Sequence, residues 1–199
     1  MEPVFQSPFR GEQQEIREKI CRLEQDYLQT PGTYAASSKE SDAIARRAGQ
    51  RIREGERTKD NLKIIFHWKN VGSRFYISTL EPLFDSNCPD GVAKALTSAD
   101  EARADWEAVA ALLGLKGVQV PTASAMLANI YPERVTVIDR LALRALDVSN
   151  PEIAFYLFYN DECRRIAERY KVTRRCLDRA LWVWGKTHPP KRARIASNP

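Results

Sequence analysis

Two features of this chain have residue types and spacing that could do chemistry. The first is a glycine-containing turn at 115–123, Leu-Lys-Gly-Val-Gln-Val-Pro-Thr-Ala, and the second is Asp139, which follows two apolar residues. Consecutive backbone N–H groups ahead of a helix N-terminus bind phosphate well. A carboxylate can stabilise a developing cation or accept a proton from water. Asp is also among the best helix N-caps, so a purely structural role remains an alternative for Asp139.

The helix before the turn is predicted from a capping box. Ser98 and Glu101 have the S/T-x-x-E spacing, which predicts a helix start near Ala99. Apolar residues recur along it at helical spacing and predict one buried face; they are Trp106, Val109, Ala110 and Leu113.

The helix after the turn is predicted from Pro121. Gly114 and Gly117 end the preceding helix, and proline suits a first helical position because its missing N–H would be unsatisfied there. The second helix directs four apolar residues inward, namely Ala123, Met126, Leu127 and Ile130. The pattern therefore predicts two helices joined by a very tight turn.

The turn and the aspartate together resemble the helix-hairpin-helix DNA glycosylase superfamily, the endonuclease III-like base-excision enzymes. The family pattern is Leu-Pro-Gly-Val-Gly, then two residues and Thr-Ala, and this chain matches it at Leu115, Gly117, Val118, Thr122 and Ala123. A buried aspartate follows the family hairpin at a fixed distance, and Asp139 lies 18 positions after Pro121, which occupies the position of the family lysine. The resemblance covers about 60–185 as a fold and has specific motifs only over 115–140.

Three positions depart from the family pattern. Lys116 replaces a proline and could add a phosphate contact. Gln119 replaces the second glycine, so a positive φ there would carry a strain of roughly 1 kcal/mol. Pro121 replaces the lysine that attacks the sugar in bifunctional members, so no Schiff base is expected from this position.

The resemblance implies a DNA-binding, base-excision-type glycosylase that acts in DNA repair. It would be a monofunctional hydrolase of the N-glycosidic bond of a damaged or modified base, with Asp139 as the catalytic residue. The expected DNA-binding residues surround the hairpin: Lys116, Gly117, Val118, Gln119, Val120 and Thr122. No metal and no cofactor are expected, although a monovalent cation could be held at the hairpin.

A base pocket or wedge is expected near the end of an earlier apolar helix. The candidates are Trp68, Lys69 and Asn70, because the family turn after an early buried helix supplies a residue that enters the vacated stack. An aromatic face could also stack on an extruded base. The alternatives are that Trp68 is a core residue, that Lys69 is a solvated helix end and that His67 is structural.

The positive charge is concentrated in the last quarter of the chain. The net charge is +5, but residues 164–199 contain eleven basic and two acidic residues, a net of +9. This asymmetry is typical of a protein that docks one face on a polyanion. A solvated helix face with a frayed tail is the alternative interpretation.

Length and pattern predict one all-α core. The chain has 199 residues with 43% hydrophobic content, and no alternating β pattern of useful length occurs. We expect an N-terminal helical segment at 1–58 on the same core, the glycosylase-like region at 59–186, and a basic disordered tail at 187–199. Other helices are expected at 12–28, 37–57, 60–68, 74–84, 91–96, 140–146, from Pro151 to about 170, and at 172–185.

Location and metal content follow from absences in the sequence. No apolar run is long enough to cross a membrane and no signal segment opens the chain, so a cytoplasmic location without membrane partners is expected. The four cysteines are far apart and lack C-x-x-C spacing, so neither an iron-sulfur cluster nor a structural zinc is expected.

Two alternative functions remain at this point. One is a helix-hairpin-helix DNA-binding protein without a reaction, and the other is a helical interaction domain in which Gln119 and Pro121 mark a hairpin that has lost its DNA. The sequence leaves open the lesion, the strand preference, the oligomeric state, and the choice between repair and defence.

Overall fold

The computed structural model describes residues 8–32, 37–70, 76–146 and 153–188, and 75% of these residues are helical. No strand occurs within these ranges, which confirms the predicted all-α class. A π-helical turn at Tyr76–Leu80 precedes α4. The α-helices of the described ranges are α1 Gln13–Leu28, α2 Ser38–Arg53, α3 Lys59–Asn70, α4 Glu81–Asp85, α5 Pro89–Glu101, α6 Asp105–Leu113, α7 Val120–Ile130, α8 Arg140–Ala145, α9 Ile153–Tyr170 and α10 Arg174–Thr187.

Local capping explains where several helices begin. The Ser37 hydroxyl accepts the N–H of Glu40, and the Glu40 carboxylate accepts the N–H of Ser37, so a reciprocal capping box opens α2. Thr173 caps α10 through the N–H of Cys176 at 3.1 Å. Pro121 lies in the first turn of α7, which confirms the predicted start of the second hairpin helix.

The predicted capping box at Ser98 is wrong. Helix α5 runs through Ser98 to Glu101, and α6 begins only at Asp105. The reason is packing, because Val92, Leu96 and Ala99 form one buried stripe that crosses the expected boundary. The carboxylate of Glu107 instead accepts the N–H of Ala104 at 3.0 Å at the start of α6.

The buried face of α6 also differs from the predicted one. Trp106 is 52% exposed and Ala110 is exposed, whereas Ala108, Val109 and Leu112 are buried. The four residues predicted to point inward on α7 are buried, but so is every other residue from Thr122 to Ile130, so this helix is enclosed on all sides.

One hydrophobic core joins the described helices, and α10 and α7 lie at its centre. Helix α10 packs against α1, α8 and α9, while α7 packs against α2, α3 and α6. Ile20 of α1 and Ala48 of α2 belong to the same core cluster as the hairpin helices.

Helix α2 contacts the core through small and polar residues as well as apolar ones. Ser41, Asp42 and Gly49 are buried together with its alanines. Gly49 allows a close approach to α7, because a Cβ there would lie 2.2 Å from the carbonyl oxygen of Asn129.

Some predictions fall outside the described residues. These are the start of the helix expected at 74–84, the start of the helix expected from Pro151, and the tail at 189–199. Within the described part, no helix is both long enough and apolar enough to cross a membrane.

Candidate functional site

Asp139 stands at the N-terminus of α8 as its cap. Its Oδ1 accepts the N–H groups of Leu141 at 2.9 Å and Ala142 at 2.8 Å. These two bonds satisfy amides that a helix N-terminus leaves unpaired. The side chain is 21% exposed, so solvent reaches the carboxylate.

Lys69, at the end of α3, meets the second oxygen of this carboxylate. Its Nζ lies 3.5 Å from Oδ2 of Asp139 and donates to the carbonyl oxygen of Ile138 at 3.3 Å. The lysine side chain is 11% exposed. The Asp139 carboxylate is therefore held between two helix amides and one cation.

Ser124 connects the hairpin helix to the Asp139 segment. Its hydroxyl accepts the N–H of Ile138 at 3.1 Å and donates to the carbonyl oxygen of Pro121 at 2.9 Å. Beside it, the Thr122 hydroxyl lies 3.4 Å from Oδ1 of Asn70. The end of α3, the start of α7 and Asp139 therefore converge.

A cavity of about 200 Å³ opens beside Asp139. Trp68, Lys69 and Asp139 line it, which brings together two residues predicted for the pocket and the predicted catalytic acid. Asn70 does not line it. The remaining lining residues are Tyr27, Pro31, Ser38, Ser41, Val137, Arg175, Asp178 and Trp182.

An ion-pair network centred on Asp42 supports the cavity. Asp42 is 3% exposed and accepts Arg175 Nη2 at 2.8 Å and Arg179 Nη2 at 2.9 Å. Its other oxygen accepts the indole N–H of Trp68 at 3.0 Å and the hydroxyl of Tyr27 at 3.1 Å. A buried carboxylate with this many donors fixes the positions of both aromatic side chains.

The two buried carboxyl groups have opposite pKa shifts. Burial alone would raise the pKa of Asp42, but the guanidinium groups of Arg175 and Arg179 outweigh it and hold that pKa below its ordinary value. Burial raises the pKa of Asp178 to about 6, against the opposing effect of its ion pair with Arg175. Asp178 thus takes up a proton far more readily than an ordinary aspartate.

The hairpin turn packs against the π-helical turn and α4. Gly117 has a φ of +78°, and a Cβ there would lie 2.8 Å from the carbonyl oxygen of Leu80, so glycine is required. Gln119 has a φ of −115° and is the N-cap residue of α7, so the strain expected at this position does not arise. The Asn87 side chain accepts the N–H of Lys116 and donates to its carbonyl oxygen, at 2.9 and 3.0 Å.

The predicted DNA-binding residues of the hairpin differ in what they can offer. Lys116 and Gln119 are exposed, whereas Val118 and Thr122 are buried. The N–H of Val118 already donates to the carbonyl oxygen of Leu115 at 3.2 Å. Residues 115–120 do not line the cavity, so the hairpin and the cavity are separate features joined through α7.

The basic last quarter does not form one free cationic face. Arg175 and Arg179 pair with Asp42 inside the protein, and Arg174 donates to the carbonyl oxygen of Arg134. Arg164 and Arg165 pair with Asp161 on α9. The sequence count of +9 therefore overstates the charge that a polyanion could meet.

No group of three or more potential metal ligands occurs in the described ranges. Comparison of the chain with protein-family models, with characterised proteins and with solved structures finds no match. The resemblance to helix-hairpin-helix glycosylases therefore rests on the hairpin residues and on Asp139 in the sequence.

Sequence reasoning missed most of the cavity wall. Asp178 and Arg175 lie in a run of charges that is typical of a solvated helix face. No local pattern marks Tyr27 or Trp182 as cavity residues. Buried partners more than 130 positions away, such as Asp42 for Arg175, left no local pattern. An acidic residue within an apolar face of α10, Leu177-Asp178-Arg179-Ala180-Leu181, was the one available signal.

Proposed function

We propose that the protein is a monofunctional DNA glycosylase that hydrolyses the N-glycosidic bond of a damaged or modified base. The observation that carries this proposal is the position of Asp139 on a cavity wall, linked by Ser124 to the first turn of the hairpin helix. The hairpin turn, which would bind a phosphate, and the carboxylate of Asp139 are then connected through the start of α7.

The cavity has the size and walls for a single extruded base. Pockets for drug-sized ligands span about 300–1,000 Å³, and this one is near 200 Å³. Trp68, Tyr27 and Trp182 supply aromatic surfaces, on which a flipped base can stack. Tyr27 and Trp182 meet edge to face with ring centroids 5.4 Å apart, which gives that wall a fixed shape.

Asp139 supplies the charge that this reaction needs. As the glycosidic bond breaks, the sugar becomes an oxocarbenium ion, which a nearby carboxylate stabilises. Oδ1 is occupied by two helix amides, so Oδ2 is the oxygen that faces Lys69 and is available to the sugar or to the attacking water. Water then adds to C1′, Asp139 accepts its proton, and the products are a free base and an abasic site.

The hairpin would hold the DNA backbone. Within the described residues, the N–H groups of Gly117, Gln119 and Val120 have no hydrogen-bond partner, and they precede or open an eleven-residue helix. Such amides, together with the positive end of the helix dipole, suit a phosphate. Exposed Lys116 adds a charge beside them.

Proline at 121 supports hydrolysis over strand cleavage. It has no amine to attack the sugar, and it occupies the first turn of α7 instead. We therefore expect abasic sites as products and no strand nicks from this position.

The test is excision from duplexes that carry a panel of modified bases, followed by alkali to reveal abasic sites. We expect cleavage of at least one duplex by the wild-type protein and loss of cleavage in Asp139→Asn. Asp161→Asn is the matched control, because this aspartate forms surface pairs on α9 away from the cavity. Absence of excision on every duplex, or full activity in Asp139→Asn, contradicts the proposal.

A DNA-binding protein without a reaction is the second candidate. Its support is that capping and the Lys69 contact account for both oxygens of Asp139 without any substrate. Under this alternative the wild-type protein binds duplex DNA with a strong salt dependence and excises nothing.

A further inference from the structure

A second carboxyl group, from α10, lines the same cavity as Asp139. Asp178 belongs to the described wall of that cavity, and its side chain is 8% exposed. Arg175, one turn earlier on α10, donates to its Oδ2. Within the described residues its Oδ1 has no hydrogen-bond partner. This oxygen is not one of the fully buried unpaired atoms of the described residues, so it keeps some contact with solvent.

Charged and titratable groups face Asp178 from each helix packed around it. The closest opposite charge is Arg175, and the like charge of Asp139 acts from the N-terminus of α8. Lys69 acts from α3 and Asp42 from α2. The neutral titratable groups that interact with it are Tyr27 on α1 and Tyr156, Tyr159 and Cys163 on α9.

Excision of an uncharged base requires a proton on the departing base as well as a negative charge beside the sugar. When the bond between C1′ and the base breaks, its electron pair leaves with the base, and an unprotonated base is a poor leaving group. Glycoside hydrolysis solves the same problem with two carboxyl groups whose surroundings separate their roles into acid and base. Asp139 accepts hydrogen bonds from helix amides and contacts the cation of Lys69, whereas Asp178 is buried.

We propose that Asp178 is the general acid of the excision reaction and protonates a ring nitrogen of the extruded base while Asp139 stabilises the sugar. This inference rests on the proposed glycosylase function. The Asp178 proton moves to the base as the glycosidic bond breaks, and water adds to C1′ and gives its proton to Asp139. One water is consumed, and the two carboxyl groups then return to their starting states by proton exchange with solvent.

The protonation equilibrium of Asp178 supports this role. Burial raises the pKa of its carboxyl to about 6, and the Asp139 carboxylate acts in the same direction. With such a value about one-tenth of the molecules carry the proton at pH 7. An ordinary aspartate would carry it in only about one molecule in a thousand.

The inference also names a substrate class. A general acid is useful for uncharged modified bases with a free ring nitrogen, such as deaminated or oxidised purines. A cationic N-alkylated purine departs as a neutral molecule without further protonation. The protein should therefore act on uncharged bases, with Asp178 as the residue that makes their departure possible.

The decisive experiment compares two duplexes under single-turnover conditions, one with hypoxanthine and one with 7-methylguanine. General acids typically contribute about 100-fold to 10,000-fold to a rate. We expect Asp178→Asn to slow hypoxanthine excision by about 100-fold or more and 7-methylguanine excision by less than about threefold. Asp139→Asn should slow both, and Asp161→Asn neither. The 7-methylguanine rate in Asp178→Asn also shows whether the variant still folds.

Two further measurements separate the possible failures. The wild-type hypoxanthine rate should fall as the pH rises above about 6, and this dependence should vanish in Asp178→Asn. Carbon-13 NMR of the free protein should show the Asp178 carboxyl titrating near 6. Equal slowing of both duplexes in Asp178→Asn, excision of the cationic base alone by the wild-type protein, or titration near 4 overturns the role of Asp178 while the glycosylase function stands. Absence of excision by the wild-type protein overturns both.

Discussion

The ammonium group of Lys69 lies 3.5 Å from the carboxylate of Asp139, and both side chains are largely buried at 11% and 21% exposure. This pair joins the end of α3 to the start of α8, two elements that are 70 positions apart in the chain. It also fixes the oxygen of Asp139 that is free of the helix cap.

Lys69→Ala should destabilise the protein by about 1–3 kcal/mol, because it removes hydrogen bonds between a charged donor and mostly buried acceptors. Lys63→Ala is the matched control on the same helix. Lys63 pairs with Asp85 at side-chain exposures of 35% and 43%, and exposed pairs contribute about 1 kcal/mol or less. Urea unfolding of both variants measures the difference, and equal losses would show that burial of the Asp139 pair is unimportant.

Replacement of Asp139 separates its two roles. Asp139→Asn keeps a good N-cap but leaves the mostly buried Lys69 without its carboxylate, so it should lose about 1–3 kcal/mol of unfolding free energy. Asp139→Ala should lose about 1–2 kcal/mol more, because the cap is removed as well. Excision should fall in both variants by about 100-fold or more, because both remove the charge that stabilises the sugar cation. Unfolding curves and single-turnover rates check this pattern. An excision rate that fell only in proportion to the loss of stability would indicate that Asp139 acts as a helix cap and not in catalysis.

Gly185 is the contact point between α10 and α8. A Cβ at this position would lie 1.9 Å from the carbonyl oxygen of Leu141, so Gly185→Ala must displace the helix that Asp139 caps. Overpacking of this kind costs about 1–3 kcal/mol or more. Gly114→Ala is the control, since its Cβ would lie 3.4 Å from the nearest carbonyl oxygen and its φ is −66°. Thermal unfolding should show a large decrease in Tm for the first variant and almost none for the second.

The sequence alone predicted the structural features that depend only on neighbouring residues. Pro121 marked the start of α7, and Asp139 marked the N-cap of α8. These features depend on a few neighbouring residues, and nothing in the tertiary structure opposes them.

The sequence was insufficient where tertiary packing overrides a local signal. The capping box predicted at Ser98 does not form, because the buried stripe of α5 continues past this residue. Asp42 binds two arginines that lie more than 130 positions away in the chain, Arg175 and Arg179. Pairing over such a separation depends on the fold, and it also decides which arginines remain exposed.

Asp42→Asn should be among the most destabilising single substitutions in the described core. It leaves Arg175 and Arg179 without their shared carboxylate, and removal of one partner from a buried ion pair costs about 3–5 kcal/mol. The pKa of Asp42 is lowered by these arginines, so its contribution is present at neutral pH and is lost as the pH falls below its ordinary value of 3.8. Urea unfolding at pH 7 measures the effect, and a loss below about 1 kcal/mol would contradict the structural role of the network.

Asp178 should have the opposite influence on pH stability. Its pKa is about 6 in the folded protein against an ordinary 3.8, so the folded state holds the proton more tightly. The stability that this proton provides is fully present below about 3.8 and is lost as the pH rises through about 6. Asp178→Asn removes the titration of this carboxyl group. Asp42 titrates in both the variant and the wild-type protein, so its contribution cancels when their free energies of unfolding are subtracted. The free energy of unfolding of Asp178→Asn minus that of wild type should therefore rise, by on the order of 2 kcal/mol, between pH 4 and pH 7. Urea unfolding of the two proteins across this range measures it, and a constant difference would mean that the Asp178 carboxyl is ionised throughout.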